Sequence, residues 1–161
     1  MSEPCLDNVK SGCAVISPME LALAEAHAAA RRGEVPVGAV VTGPDGAVVA
    51  RAGNQVEALH DASAHAEILA LRAASAALGQ TRLQGCDLWV TLEPCPMCAG
   101  AASLFRVRKI LFGAYDPKGG GVEHGPRVFQ APGCLHVPEV VGGLHEAACA
   151  TPLKAFFAAR R

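Results

Sequence analysis

Two short segments of this 161-residue chain carry residue types and spacings that can do chemistry: His65-Ala66-Glu67 and Pro94-Cys95-Pro96-Met97-Cys98. Cys95 and Cys98 stand three apart, so one helical turn brings both thiols to the same side, at a spacing from which two sulfurs can share a metal ion. A helix start presents free N–H groups and a partial positive charge, which lowers a thiol pKa and favours thiolates there. A neutral imidazole from His65 completes three protein ligands. Three is the number typical of zinc that keeps a fourth position for water, whereas a structural zinc takes four. Glu67 lies two residues from His65, so it does not ligate easily from the same face but can reach that water, where a proton carrier belongs. Zinc lowers the pKa of a bound water towards about 7 and makes hydroxide available at neutral pH.

Each segment alone has a plainer reading. A Cys-x-x-Cys in a reducing compartment serves as a redox pair or half of a zinc knuckle, and a His-x-Glu at a helix start serves as a cap. With no second Cys-x-x-Cys to complete a knuckle, the two segments together point to a catalytic zinc centre. Cys5, Cys13, Cys86, Cys134 and Cys149 read as small buried residues rather than ligands, although Cys134 shares a loop with His136.

Alternating strands and helices position these segments. Ser17, Pro18 and Glu20 read as an N-cap, a first-turn proline and a capping-box acid opening an Ala-rich helix to Arg32, which Gly33 stops. Val35 to Thr42 and Ala47 to Arg51 are β-branched runs around a Gly-Pro-Asp-Gly turn, a hairpin pattern. Asp61 or Ser63 caps a helix to about Leu78, and Asp87 to Leu92 is strand-like. Pro94 opens a helix to about Phe105, Val107 to Phe112 reads as a strand, and a Gly- and Pro-rich loop runs from Asp116 to about Pro138. Leu144 to Arg161 is a closing helix that Pro152 bends or delays. The pattern is that of an α/β fold, with an N-terminal arm over residues 1–17 and one domain over residues 18–161.

Composition narrows the function classes. Fourteen Lys plus Arg against fifteen Asp plus Glu leave a net charge of −1, so no global basic field marks a nucleic-acid binder. Local patches remain: Arg106, Arg108, Lys109 and Lys118 in one stretch, and Lys154, Arg160 and Arg161 in an acid-free tail, both able to hold phosphates. Phe156 and Phe157 are adjacent on a helix and face different ways, which favours core or dimer packing over base stacking. No apolar run reaches the roughly 18 residues of a membrane span, and the odd count of seven Cys argues against a disulfide framework. These features read as a cytoplasmic protein without a membrane anchor.

The segments match a known signature, H-x-E with P-C-x-x-C, that of the zinc nucleobase deaminases. The chain resembles the cytidine/deoxycytidylate deaminase superfamily, and within it the bacterial tRNA adenosine deaminases that act on the wobble base. The resemblance rests on Glu34 to Val40, Asn54, His65 to Ile68, Thr91 to Ala101, Phe112 to Asp116, Phe156-Phe157 and Arg160-Arg161. It implies a three-layer α/β/α fold whose central mixed sheet has about five strands flanked by helices. It also implies one Zn2+ per subunit on His65, Cys95 and Cys98, with Glu67 as proton shuttle. Hydroxide would attack C6 of adenine, ammonia would leave and inosine would remain. Asn54 falls where the family positions the target nucleotide, Glu34 and Asp116 where it contacts that nucleotide or its neighbours. The implied partners are a tRNA anticodon stem-loop and a second copy of the chain. Two departures stand out: Leu104 and Phe105 replace a His and a small residue common in relatives, and Tyr115 stands where Arg is common.

Two rival functions share these residues. A deaminase of a free base or nucleoside, guanine first and cytosine next, would use the same zinc and glutamate. A non-catalytic RNA-binding subunit would keep zinc for stability alone.

Overall fold

The computed structural model describes residues 14–161. The expected N-terminal arm, residues 1–17, together with Cys5 and Cys13, lies outside the described residues but for Ala14 to Ser17, which precede the first helix as non-regular chain.

A capping box opens α1 (Pro18–Arg31): Glu20 N–H donates to Ser17 Oγ at 3.2 Å and Ser17 N–H to Glu20 Oε2 at 2.7 Å. The hairpin follows as β1 (Gly38–Thr42) and β2 (Val48–Gly53), then a one-turn helix α2 (Val56–Leu59) and α3 (Ala66–Leu78). Next come β3 (Asp87–Leu92), α4 (Pro96–Leu104), β4 (Lys109–Ala114), a 3-10 turn (Val128–Gln130), β5 (Glu139–Val141) and α5 (Glu146–Ala158). Strand order is β2-β1-β3-β4-β5, with β1 antiparallel to β2 and β3, and β4 parallel to both β3 and β5. The sheet is therefore mixed and five-stranded, as the resemblance implies.

Helices cover both faces. Ala39, Val41, Leu88, Val90, Ile110 and Phe112 point to one side, into a core with Ala70, Leu71 and Ala74 of α3 and Ala99 and Ala102 of α4. Val40 and its cross-strand partner Trp89 point to the other, where Met19 and Ala22 of α1 meet Cys149 of α5. The alanine excess has a structural reason here. Ala22, Ala26 and Ala29 line the buried face of α1 and let its backbone approach the sheet at Gly38 and Gly53. A Cβ on Gly38 would overlap the carbonyl oxygen of Ala22 and lie 2.7 Å from Ala26 N, so neither partner can yield without moving the helix. Gly38→Ala is expected to cost about 3 kcal/mol of stability by overpacking. Urea unfolding checks this, and an unchanged midpoint would contradict the close approach.

Several boundaries depart from the sequence pattern. Neither Asp61 nor Ser63 caps α3. Asp61 accepts from Ser63 N–H and Oγ in its own turn, and the N-cap position falls on His65. α4 starts at Pro96, with Cys95 as N-cap. Pro152 does not delay α5, which starts at Glu146 and continues through it. The proline removes a donor to Ala148, a residue beside an open groove between α1 and α5. Cys86 and Cys149 are buried as expected, but Cys134 is only half-buried, donating to His136 O at 3.2 Å.

Candidate active site

The topology gathers the chemistry at one end of the sheet. β1 runs against β3, so the residues before β1 lie beside those after β3, and the ends of β2 and β4 fall on that same edge. Glu34, Asn54, Cys95 and Asp116 thus reach one cavity from four connections, as ligand sites do beyond the carboxyl ends of parallel strands. His65 and Glu67 enter from the start of α3. The cavity is about 650 Å³, enough for a nucleoside.

His65 and Cys95 occupy N-cap positions yet neither side chain caps its helix, which leaves both free to face each other. His65 Nδ1 lies 3.6 Å from Cys95 Sγ and 3.5 Å from Cys98 Sγ, and the three ligand atoms all lie within 4.8 Å of one another. Zn–S bonds of about 2.3 Å and a Zn–N bond of about 2.0 Å at tetrahedral angles put N and S about 3.5 Å apart. The donor set fits zinc in both chemistry and spacing.

Proton positions follow from crowding two thiols together without a cation. The hydrogen bond from Cys98, against the opposing effect of burial, brings Cys95 down to about 4, helped by His65. Cys98, hydrogen-bonded to that thiolate and buried, is pushed well above the usual thiol range. His65 is raised by its bond to Cys95. Glu67 is buried and unpaired with any cation close enough to offset its burial, which raises its carboxyl to about 7.

The substrate-side residues are tied into the scaffold. Asn54 Oδ1 accepts from Ala66 N–H at 2.7 Å, capping α3 in place of His65, and this orientation leaves its amide donors for the cavity. Glu34 is buried and accepts from the N–H groups of Glu57 at 3.1 Å and Ala58 at 2.8 Å, at the start of α2. Asp116 Oδ1 accepts from Lys118 N–H at 3.2 Å and Gly119 N–H at 2.9 Å, a closed turn on the cavity rim.

Two of the four cations in the basic stretch, Arg108 and Lys109, are paired with acids. Arg108 makes a bidentate pair with Asp87 at 2.9 and 2.7 Å, and Lys109 pairs with Glu139 at 3.3 Å. The tail does reach the site. Phe156 and Arg160 of the α5 end line the cavity, with the guanidinium carbon 3.4 Å from the ring centroid. Phe156 is half-buried and Phe157 exposed, so neither belongs to the core, one of the two packing roles, core or dimer, that the sequence favours. Glu93 has no role legible from its sequence neighbours. Its carboxylate is fully enclosed two residues before Cys95.

The family model for the cytidine and deoxycytidylate deaminase zinc-binding region matches residues 8–114. The chain belongs to the cytidine and deoxycytidylate deaminase family. It is a hydrolytic deaminase, and zinc is its cofactor. Among curated relatives, it is 54% identical over 143 residues to the tRNA-specific adenosine deaminase of Agrobacterium fabrum, covering 89% of this chain and 93% of that one. A solved structure from work on A-to-I editing by tRNA:A34 deaminases superposes with a TM-score of 0.83 at 55% identity, covering 84% of this chain and 98% of the other. The guanine deaminase from Nitrosomonas europaea shares the deaminase fold more distantly, with a TM-score of 0.66 at 27% identity over 88% of this chain and 81% of that one.

Proposed function

We propose that this deaminase converts adenosine to inosine at the wobble position of a tRNA anticodon. The observation that carries the reading is the near full-length, 54% identity to a tRNA-specific adenosine deaminase, twice the 27% shared with the guanine enzyme. The site supports it. Its cavity admits a nucleoside, and Phe156 with Arg160 at the rim offers an aromatic face and a cation to a strand that continues beyond the target.

In this reading His65 through Nδ1, Cys95 and Cys98 hold zinc. Zinc when bound acts as a Lewis acid that makes water nucleophilic near neutral pH. Glu67 takes a proton from the attacking water, delivers it to N1 of the purine, and then serves the amine leaving C6. The balance is adenosine plus water to inosine plus ammonia. A carboxyl held at about 7 is suited to both halves of that transfer. Asn54 presents its amide donors to the target nucleotide, and Asp116 uses Oδ2, the oxygen its own turn leaves free. Glu34 acts by fixing the start of α2, which borders the cavity through Val56 and Glu57.

The proposal extends to a single catalytic domain over residues 18–161, working in the cytoplasm as a homodimer. No described helix is long and apolar enough to cross a membrane. Exposed Met97, Leu104 and Leu135 border a largely apolar groove beside α4, on which a second copy would bury them.

The test is a substrate panel: an anticodon stem-loop with adenosine at the wobble position, beside free guanine, cytosine and adenosine. Inosine in the RNA without turnover of the free compounds is expected. Ammonia from guanine with unchanged RNA would move the enzyme to base salvage and overturn the reading.

A further inference from the structure

The segment between β4 and the 3-10 turn, residues 115–127, forms no helix or strand, yet it supplies the Asp116 and Gly119 wall of the catalytic cavity. Its shape is set from outside by one side chain. Glu93 Oε1 accepts from Asp116 N–H at 3.2 Å and pairs with His124 Nδ1 at 2.8 Å. Its Oε2 accepts from the N–H groups of Val122, Glu123 and His124 at 3.3, 3.0 and 3.1 Å. Five donors from one loop therefore converge on one enclosed carboxylate, a strong arrangement because the acceptor is charged and dry.

The same loop grips the zinc-ligand turn. Gly121 N–H donates to Pro94 O at 2.8 Å, and a Cβ on Gly121 would lie 2.6 Å from Pro96 N. Gly120 packs so closely that a Cβ there would overlap Glu93 Oε2 and lie 2.5 Å from Asp116 O. The glycine run at 119–121 thus lets the backbone wrap the carboxylate.

We propose that Glu93 is a positioning residue for the deamination: by collecting the 116–124 loop it joins the substrate wall at Asp116 to the turn that carries Cys95. Glu93 borders the cavity, but its carboxylate is fully enclosed and both oxygens are taken up by the loop, so it acts through the loop. Its kinetic consequence rests on the RNA-substrate reading above, whereas its structural consequence does not.

Glu93→Gln separates the two ends of the clamp. An amide nitrogen in the place of Oε2 would face three N–H donors. In the place of Oε1 it faces Asp116 N–H and the imidazole, and the imidazole can present Nδ1 as an acceptor by moving its proton to Nε2. The side chain therefore settles with its nitrogen towards Asp116, keeps the 122–124 bonds and loses the bond to the cavity wall. The expected result is a KM for the stem-loop raised about tenfold or more, kcat within about threefold of wild type, and zinc still stoichiometric.

Gly120→Ala reaches the same loop without changing the charge and should give the same split. Hydrogen exchange of the zinc-loaded proteins provides the second readout. Faster exchange at Asp116 in Glu93→Gln, and across 116–124 in Gly120→Ala, with α3 and β3 protected as in wild type, is expected. If both variants fold and leave KM and loop exchange unchanged, or lower kcat and lose zinc with KM intact, the positioning role is wrong. Failure of wild type to deaminate RNA would instead overturn the substrate reading, and the exchange result would still stand or fall alone.

Discussion

Glu67→Ala is expected to lower deamination by about 10²- to 10⁴-fold, the usual contribution of a positioned acid-base group, with one zinc per chain retained. The reason is division of labour. His65, Cys95 and Cys98 form the compact donor set, while Glu67 sits buried beside them without belonging to it. Deleting it removes the only carboxyl placed two residues from the imidazole and leaves every ligand in position. Steady-state turnover with metal analysis on the same sample checks both halves. A normal rate would leave zinc with a purely structural task.

The same side chain carries a pH signature in the metal-free protein. Burial raises its folded pKa from 4.5 to about 7, so the folded state holds the proton more tightly than the unfolded one. Stability is then highest below about pH 4.5 as far as this group is concerned, falls as pH rises to about 7, and is flat beyond. Glu67→Gln should remove that slope.

Loss of one ligand is the second large effect. His65→Ala, Cys95→Ala and Cys98→Ala are each expected to purify with little zinc and no measurable turnover, since two donors do not replace a three-donor site. Without metal the two thiols share protons unequally, Cys95 low at about 4 and Cys98 high because of that thiolate and its own burial. Zinc must displace the Cys98 proton, and any proton on the raised His65, so uptake releases acid and affinity weakens as pH falls. Proton release on titrating zinc into weakly buffered apoprotein measures this directly. Stoichiometric zinc in any of the three variants would refute the assignment.

The metal centre was legible because its information is local: two residues three apart, and one His-x-Glu. Its assembly was not. That Glu34 precedes a strand antiparallel to the one preceding Cys95 depends on strand order, which no short-range pattern encodes. Glu93 lay inside a recognised motif yet showed no role, because its five partners come from a loop more than twenty residues away. Arg108 and Lys109 looked like free cations because Asp87 and Glu139, which neutralise them, lie on neighbouring strands. β5 went unseen for a different reason. Three residues after a Gly- and Pro-rich run have no periodicity, and parallel pairing with β4 alone makes them a strand.

RNA editing by this deaminase depends, in the proposed reading, on zinc and Glu67 together. Nucleoside analysis of a wobble-adenosine stem-loop, after incubation with zinc-loaded wild type and with zinc-loaded Glu67→Ala, tests it most directly. Inosine is expected from wild type, confined to the wobble position, and none above background from the variant. Equal inosine from both proteins, or unchanged RNA from a wild type that deaminates free guanine, would contradict it.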